Sequence, residues 1–174
     1  AALKRQIMAA PEVRAVLNFA IEVLRKRLLS SPVTFADSWL RCKAGLAAQD
    51  QTQASEVLAA RRAVEEDIDD DQERESRNLH AAHVVGAWMH PYLGQLTREV
   101  DAVDAALKAL KLTELPVTTK VPAVDARFDR LRELINERLR NAEAWNPDER
   151  LIIFTEYKTT LDYLVQRLER EYGA

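Results

Sequence analysis

The sequence predicts a mainly α fold: a helical bundle or hairpin followed, near the C-terminus, by one strand that runs into a last helix. Three observations predict it. Apolar residues recur at three-four spacing in several separate windows. Only four glycines and six prolines occur in 174 residues, too few for a turn-rich β fold. Finally, Leu151-Ile152-Ile153-Phe154 is an unbroken apolar run between an Asn-Pro-Asp-Glu turn and a helical pattern. A strand bare on one face alternates, whereas an unbroken run suits a strand covered on both faces of a parallel sheet.

The first helix is expected from Pro11 to Leu29, with Val13, Val16, Leu17, Ala20, Ile21, Leu24 and Leu28 on one face. Ser31 is a good N-cap and Pro32 a good first residue for a second helix, Pro32 to about Ala47. A third, weaker helix covers about Ser55 to Arg62. The acidic stretch 63–76 follows, and its like charges predict a solvated loop or flexible insertion. Helix returns near Arg77 and breaks at Pro91. Beyond the break, Leu93, Leu96, Val100, Val103, Leu107 and Leu110 form a heptad seam, expected to pair with the first helix as an antiparallel hairpin. Residues 113–122, with two prolines and three threonines, read as a linker. A helix from Ala123 to Asn141, the strand Leu151–Thr155 and a helix from Thr159 to Tyr172 complete the chain.

Composition narrows the function classes. At 47% hydrophobic and 30% charged, the chain has the make-up of a soluble globular protein. One cysteine, Cys42, excludes an internal disulfide and suits a reducing, cytoplasmic setting. No apolar run approaches the ~20 residues that span a bilayer, and the first residues lack a signal-peptide layout. The net charge of −3 conceals an asymmetry. Residues 1–62 carry ten bases and five acids, 63–76 one base and eight acids, and 77–174 fourteen bases and fifteen acids. Net charge therefore does not exclude a face that attracts nucleic acid.

In open α/β sheets, ligands bind beyond the carboxyl ends of the strands. Here that place is Thr155-Glu156-Tyr157-Lys158-Thr159-Thr160, where hydroxyls, a lysine and a helix N-terminus can hold a phosphate. "DARFDRLRELI" from Asp125 and "NPDERLIIFTEYKTTLDYLVQRL" from Asn146 resemble the opening of the second RecA-like lobe of superfamily-two helicases. They are most similar to bacterial Swi/Snf-type DNA translocases, including the RNA-polymerase-recycling and phage-defence branches. Ile152 to Tyr157 resembles helicase motif IV, and "LRKRLLSSPVTFADSW" resembles the helical region between the lobes. The matching segments cover about a third of the chain.

The resemblance implies a part of a larger protein. Residues 1–112 would be the interlobe helical region, 113–122 a linker and 123–174 the beginning of the second RecA-like lobe. It implies a parent that is a DNA-dependent ATPase using ATP and magnesium, with double-stranded DNA and the remaining helicase lobes as partners. Thr155, Tyr157, Lys158, Thr159 and Thr160 would contact the nucleic-acid backbone. No glycine is followed by lysine, so a G-x-x-x-x-G-K-[ST] phosphate loop is absent. Asp148-Glu149 is not an Asp-Glu-Ala-His magnesium motif, and no Gln-x-x-Gly-Arg-x-x-Arg motif occurs. This polypeptide alone is therefore expected to have no catalytic residue, bind no cofactor and hydrolyse no ATP.

Other residues have plainer readings beside the functional one. Arg25, Lys26 and Arg27 suggest a DNA-facing patch, but cations also complement a helix C-terminus. His80 and His83 lie i, i+3 without a cysteine or matching acid, so ordinary helix positions are favoured over a metal site. Cys42 reads as a packed thiol, and Trp39, Trp88 and Trp145 as packing residues. The acidic stretch reads as solvated, with DNA mimicry or restraint of a basic surface as the sharper alternative. The rival to the translocase reading is an autonomous non-enzymatic scaffold that binds a partner helix through the Leu93–Leu110 seam. Either way, an unpaired strand edge at Leu151–Phe154 predicts homodimerisation.

Overall fold

The structure is a computed structural model and describes residues 11–48, 52–141 and 144–173. It is mainly helical, with one small antiparallel ribbon in its C-terminal part. The first helix, α1 (Pro11–Ser30), is separated from α2 (Pro32–Ala47) by Ser31 alone. The Ser31 hydroxyl accepts from the Thr34 amide at 3.0 Å, and Pro32 occupies the first turn, so α2 begins where the sequence predicts, after a one-residue reversal of the chain.

Helices α3 (Ala54–Glu65) and α4 (Asp71–Met89) follow. They correct the reading of 63–76 as a loop, since only residues 66–70 lie outside a helix. Asp70 caps α4 by accepting from the amides of Gln72 and Glu73, which hold its carboxyl below the usual range. Asp71 and Glu73 then sit in the first turn, where negative charge meets the positive end of the helix dipole. Arginines supply the remaining compensation: Arg77 pairs with Glu66 and Glu73, Arg74 with Asp71 and Arg61 with Glu65.

Helix α2 is the central element. It packs most closely against α4, with α1 against both and α3 against α4 and α1. The crossing of α2 and α4 depends on two glycines. A Cβ on Gly45 would lie 2.0 Å from the His83 carbonyl oxygen, and one on Gly86 would lie 1.9 Å from the Cys42 carbonyl oxygen. Val16, Phe19 and Val23 of α1, Cys42 of α2, Val57 of α3 and Val85 and Trp88 of α4 fill the core around this crossing. Burial pushes the Cys42 thiol up to about 12, so it stays protonated and behaves as an apolar packing group.

Pro91 ends α4 through a short 3-10 turn, His90–Tyr92, into α5 (Leu93–Ala109). The heptad seam does not form the expected hairpin with α1. Val100, Val103, Leu107 and Leu110 instead pack with Val33, Ala36 and Trp39 of α2 in a second apolar cluster. Polar bonds pin the same interface: Trp39 Nε1 donates to Asp104 at 2.8 Å, and Lys43 pairs with Asp104 at 2.5 Å. Burial alone would raise the Asp104 carboxyl, but these two bonds outweigh it and hold it below its usual range. Helix α5 stops with Lys111 in the left-handed region, the Lys111 amide on Lys108 O and the Leu112 amide on Leu107 O. This reversal buries Leu112, and Val117 of the linker joins it.

The C-terminal part comprises α6 (Ala126–Arg138), capped by Asp125, a two-residue ribbon β1 (Arg140–Asn141) and β2 (Ala144–Trp145), and α7 (Lys158–Tyr172). Arg140 pairs with Trp145, and Asn141 with Ala144. Val124, ahead of the cap, is exposed, whereas Phe128 and Ile135 are buried. The run Leu151–Phe154 is not a buried strand. It has no ladder partner among the described residues and is exposed throughout, Ile152 at 74% and Phe154 at 89%. Its neighbours Leu151 and Ile153, at 39%, rest on an apolar groove of about 540 Å³ lined by Ile135, Leu139, Val165 and Leu168. The alternation is that of an extended segment laid across α6 and α7 with its outer face bare. A lone strand cannot satisfy its backbone or cover both faces. We therefore expect concentration-dependent dimerisation in light scattering, abolished by Phe154→Asp; a monomeric mass at high concentration would refute this pairing.

Candidate nucleic-acid interface

Two sequence blocks that lie some 130 positions apart meet where the α1–α2 reversal touches the start of α7. Thr160 Oγ1 lies 2.6 Å from Ser30 Oγ and 2.6 Å from Thr34 Oγ1, and it donates to Ser31 Oγ at 3.3 Å. Ser31 Oγ in turn donates to Thr34 Oγ1 at 2.8 Å. Four hydroxyls thus satisfy one another in a buried cluster, an arrangement that is costly when any member loses its partner. Arg127, from the first turn of α6, closes the other side by donating to the Leu29 carbonyl at 2.6 Å and the Leu28 carbonyl at 3.1 Å. Those carbonyls belong to the last turn of α1, where a cation is favourable.

Beside the hydroxyls lies a charged group. Arg27 is fully buried, donates through Nε to the Thr34 carbonyl at 3.3 Å and pairs through Nη2 with Glu75 of α4. Its guanidinium carbon sits 4.7 Å from the centre of the Tyr157 ring. The same Glu75 oxygen accepts from Thr159 Oγ1 at 2.6 Å. Burial, with the Glu156 charge adding to it, pushes the Tyr157 hydroxyl up to about 12. Behind this layer, Tyr163 donates to Asp125 at 2.6 Å and Arg167 lies 3.8 Å over the Phe128 ring, fixing α7 against α6. Burial and the Asp125 bond raise the Tyr163 hydroxyl well above its ordinary value.

The eight residues expected to contact nucleic acid divide into three groups. Arg25, Lys26 and Lys158 present their charges to solvent. Lys26 pairs with Glu22, and Lys158 with Asp162 one turn on, a bond that raises its ammonium above the usual range. Thr155 is half-buried and accepts weakly from the Tyr157 amide at 3.4 Å. Arg27, Tyr157, Thr159 and Thr160 are buried. For Arg27 this corrects the picture of a three-residue basic patch: its charge is taken up inside the protein. Successive helical residues turn by about 100°, so three in a row cannot share one face.

Sequence reasoning missed Glu75 and Arg127, and neither carries a local signal; Glu75 is one acid among eight in its stretch. Ser30, Ser31 and Thr34 lie within the Ser-Ser-Pro block, but nothing local marks them as bonding partners of Thr160. The remaining candidates are structural. Among the described residues there is no group of three or more side chains placed to hold a metal ion. The three tryptophans lie apart: Trp39 on Asp104, Trp88 in the first core against Tyr92, and Trp145 exposed beside Tyr172. Among the described residues, no helix is long and apolar enough to cross a membrane.

A cleft of about 510 Å³ opens at this junction, between Lys26 and Arg127 on one side and Phe154, Thr155 and Glu156 on the other. Leu29, Phe128, Leu131, Ile153, Phe154 and Leu164 give it a mainly apolar wall, and its two cations are engaged, Lys26 with Glu22 and Arg127 with the Leu28 and Leu29 carbonyls. Compared with described protein families, with curated proteins and with solved structures, the chain matches none.

Proposed function

We propose that this chain is the interlobe helical region and the first βα step of the second RecA-like lobe of a DNA-dependent translocase. Its role would be to grip a DNA strand at the start of α7 rather than to hydrolyse ATP. ATP and magnesium would belong to the parent protein, and the remaining lobes would be its partners in a cytoplasmic enzyme. One observation carries the reading. The Ser-Ser-Pro block and the motif IV-like block, which resemble that family independently, bond directly to each other through Thr160, Ser30 and Thr34. The extended segment Leu151–Phe154, unpaired among the described residues and bare on its outer face, fits this reading, in which strands of the parent's lobe would pair with it.

The scaffold alternative has less surface to work with. The C-terminal half of its seam, from Val100 to Leu110, packs against α2 and is not free for a partner helix.

Fluorescence anisotropy with a labelled duplex tests the proposal. Binding is expected at a Kd on the order of 10⁻⁵ M near physiological salt, with log K falling against log salt at a slope of about −3 for three phosphate contacts. Lys158→Glu is expected to weaken binding about tenfold, roughly the 1.4 kcal/mol of one charged contact. It should leave the fold intact, because Lys158 is only half-buried and an acid suits the first turn of a helix, which offsets the like charge placed one turn from Asp162. Salt-independent binding, or no effect of Lys158→Glu, would remove the basis of this reading.

A further inference from the structure

Glu75 is bound the way a ligand is bound. Its Oε1 accepts from Arg27 Nη2 of α1 and from Thr159 Oγ1 of α7, so two helices offer donors to a carboxylate carried by a third, α4. The pocket it fills has spare capacity. Arg27 is fully buried, yet its Nη1 has no hydrogen-bond partner among the described residues, so the guanidinium offers more than one carboxylate takes up. Thr159 lies in the first turn of α7, and the N-cap residue, Tyr157, supplies no side-chain cap. A phosphate oxygen set, with more acceptors than a carboxylate, would use both the free guanidinium nitrogen and the uncapped helix end.

Glu75 and Thr159 line an open cleft of about 740 Å³ together with Lys158 and Arg41; Arg27, fully buried, does not line it, so an anion entering from the cleft reaches the guanidinium only once the Glu75 carboxylate has moved aside. The acids that share the cleft are already engaged: Asp162 with Lys158 at 2.7 Å and Asp37 with Arg41 at 3.8 Å. Glu75 itself belongs to the acidic stretch, in which Asp70, Asp71 and Glu73 are accounted for by capping and first-turn pairing and Glu65 and Glu66 by ion pairs with Arg61 and Arg77.

We propose that Arg27 and Thr159 form a phosphate site and that Glu75 is its built-in occupant, an autoinhibitory carboxylate that a DNA phosphodiester must displace. The proposal rests on reading the start of α7 as a DNA-backbone contact. The acidic stretch then acts through one residue, by which α4 holds the site shut.

The test is chemical rescue with inorganic phosphate. Wild type, Glu75→Gln and Glu75→Asp are compared by thermal unfolding in phosphate and in chloride at matched ionic strength. Backbone amide NMR of Thr159 is followed during a phosphate titration. Phosphate is expected to raise the Tm of Glu75→Gln by at least about 5 °C more than that of wild type, a difference that subtracts the general stabilisation of this anion. The Thr159 amide should saturate at a phosphate concentration at least about tenfold lower in Glu75→Gln than in wild type, a roughly 1.4 kcal/mol gain in apparent affinity. Equal responses of the two proteins overturn the proposal. If Glu75→Gln does not fold in chloride, phosphate should restore its helical circular dichroism; failure to do so, with Glu75→Asp folding in chloride, also overturns it. The two readings fail separately. Phosphate-blind Glu75→Gln with Lys158-sensitive duplex binding removes the lock and keeps the DNA contact. Phosphate rescue with duplex binding indifferent to Lys158→Glu does the reverse.

Discussion

Gly45→Ala is expected to destabilise the protein by at least about 3 kcal/mol, at the upper end of overpacking costs. The sign is the informative part. In an exposed helix the same change would be favourable by about 1 kcal/mol, because alanine is the better helix former. Here the new methyl would meet backbone, the His83 carbonyl oxygen at 2.0 Å and the Ala87 nitrogen at 2.7 Å. Backbone cannot rotate aside as a side chain can, so α2 and α4 must separate along their contact. Gly86→Ala drives its methyl into the Cys42 carbonyl from the other side and is expected to cost a similar amount. The double variant should cost less than the sum, since one separation of the helices relieves both clashes. Gly94→Ala is the control: among the described residues, nothing beyond its own helix backbone lies within 4 Å of its added carbon. It should be neutral or stabilising in the same urea titration. A stable Gly45→Ala protein would mean that α2 and α4 do not cross there. Because α2 carries Thr34 and α4 carries Glu75, the placement of the candidate interface would fall with it.

The local features of this fold were legible and the pairings were not. Ser31-Pro32 announces the start of α2 because capping and a proline in the first turn act within one turn of chain. Pro91 announces its break for the same local reason. Which helix a seam packs against is a different matter. The Leu93–Leu110 pattern states that a partner exists, and α2 and α1 both present apolar faces; Trp39 and Lys43 reaching Asp104 decide between them. The acidic stretch misleads because its like charges are compensated by Arg61, Arg74 and Arg77, two of which lie outside it. Leu151–Phe154 misleads in another way. Its unbroken apolar run describes what the segment can pair with, and the described residues contain no such partner. At the site, Thr155 to Thr160 was identifiable from its place after an apolar run and before a helix. Glu75 was not, since its role arises only when three helices converge.

Arg27→Ala is expected to cost about 3–5 kcal/mol, the range for breaking a buried ion pair by removing one partner. Glu75 would be left facing an apolar void with only Thr159 as a donor, and Tyr157 would lose the cation against its ring. Arg25→Ala, two positions away and exposed, should change stability by no more than about 0.5 kcal/mol. If it alters anything, it should alter duplex affinity. A DNA-facing patch of three equivalent arginine and lysine residues would instead show equal, additive losses of binding and no loss of stability. The pair Arg27→Met, Glu75→Leu separates the two roles of this buried charge. Replacing both ions by apolar groups is often neutral for folding, so the double variant should recover most of the stability that Arg27→Ala loses. With no guanidinium present, phosphate should then add nothing beyond its effect on wild type. A double variant that folds well and still responds specifically to phosphate would place the anion elsewhere on the molecule, and Arg27 would be a structural residue alone.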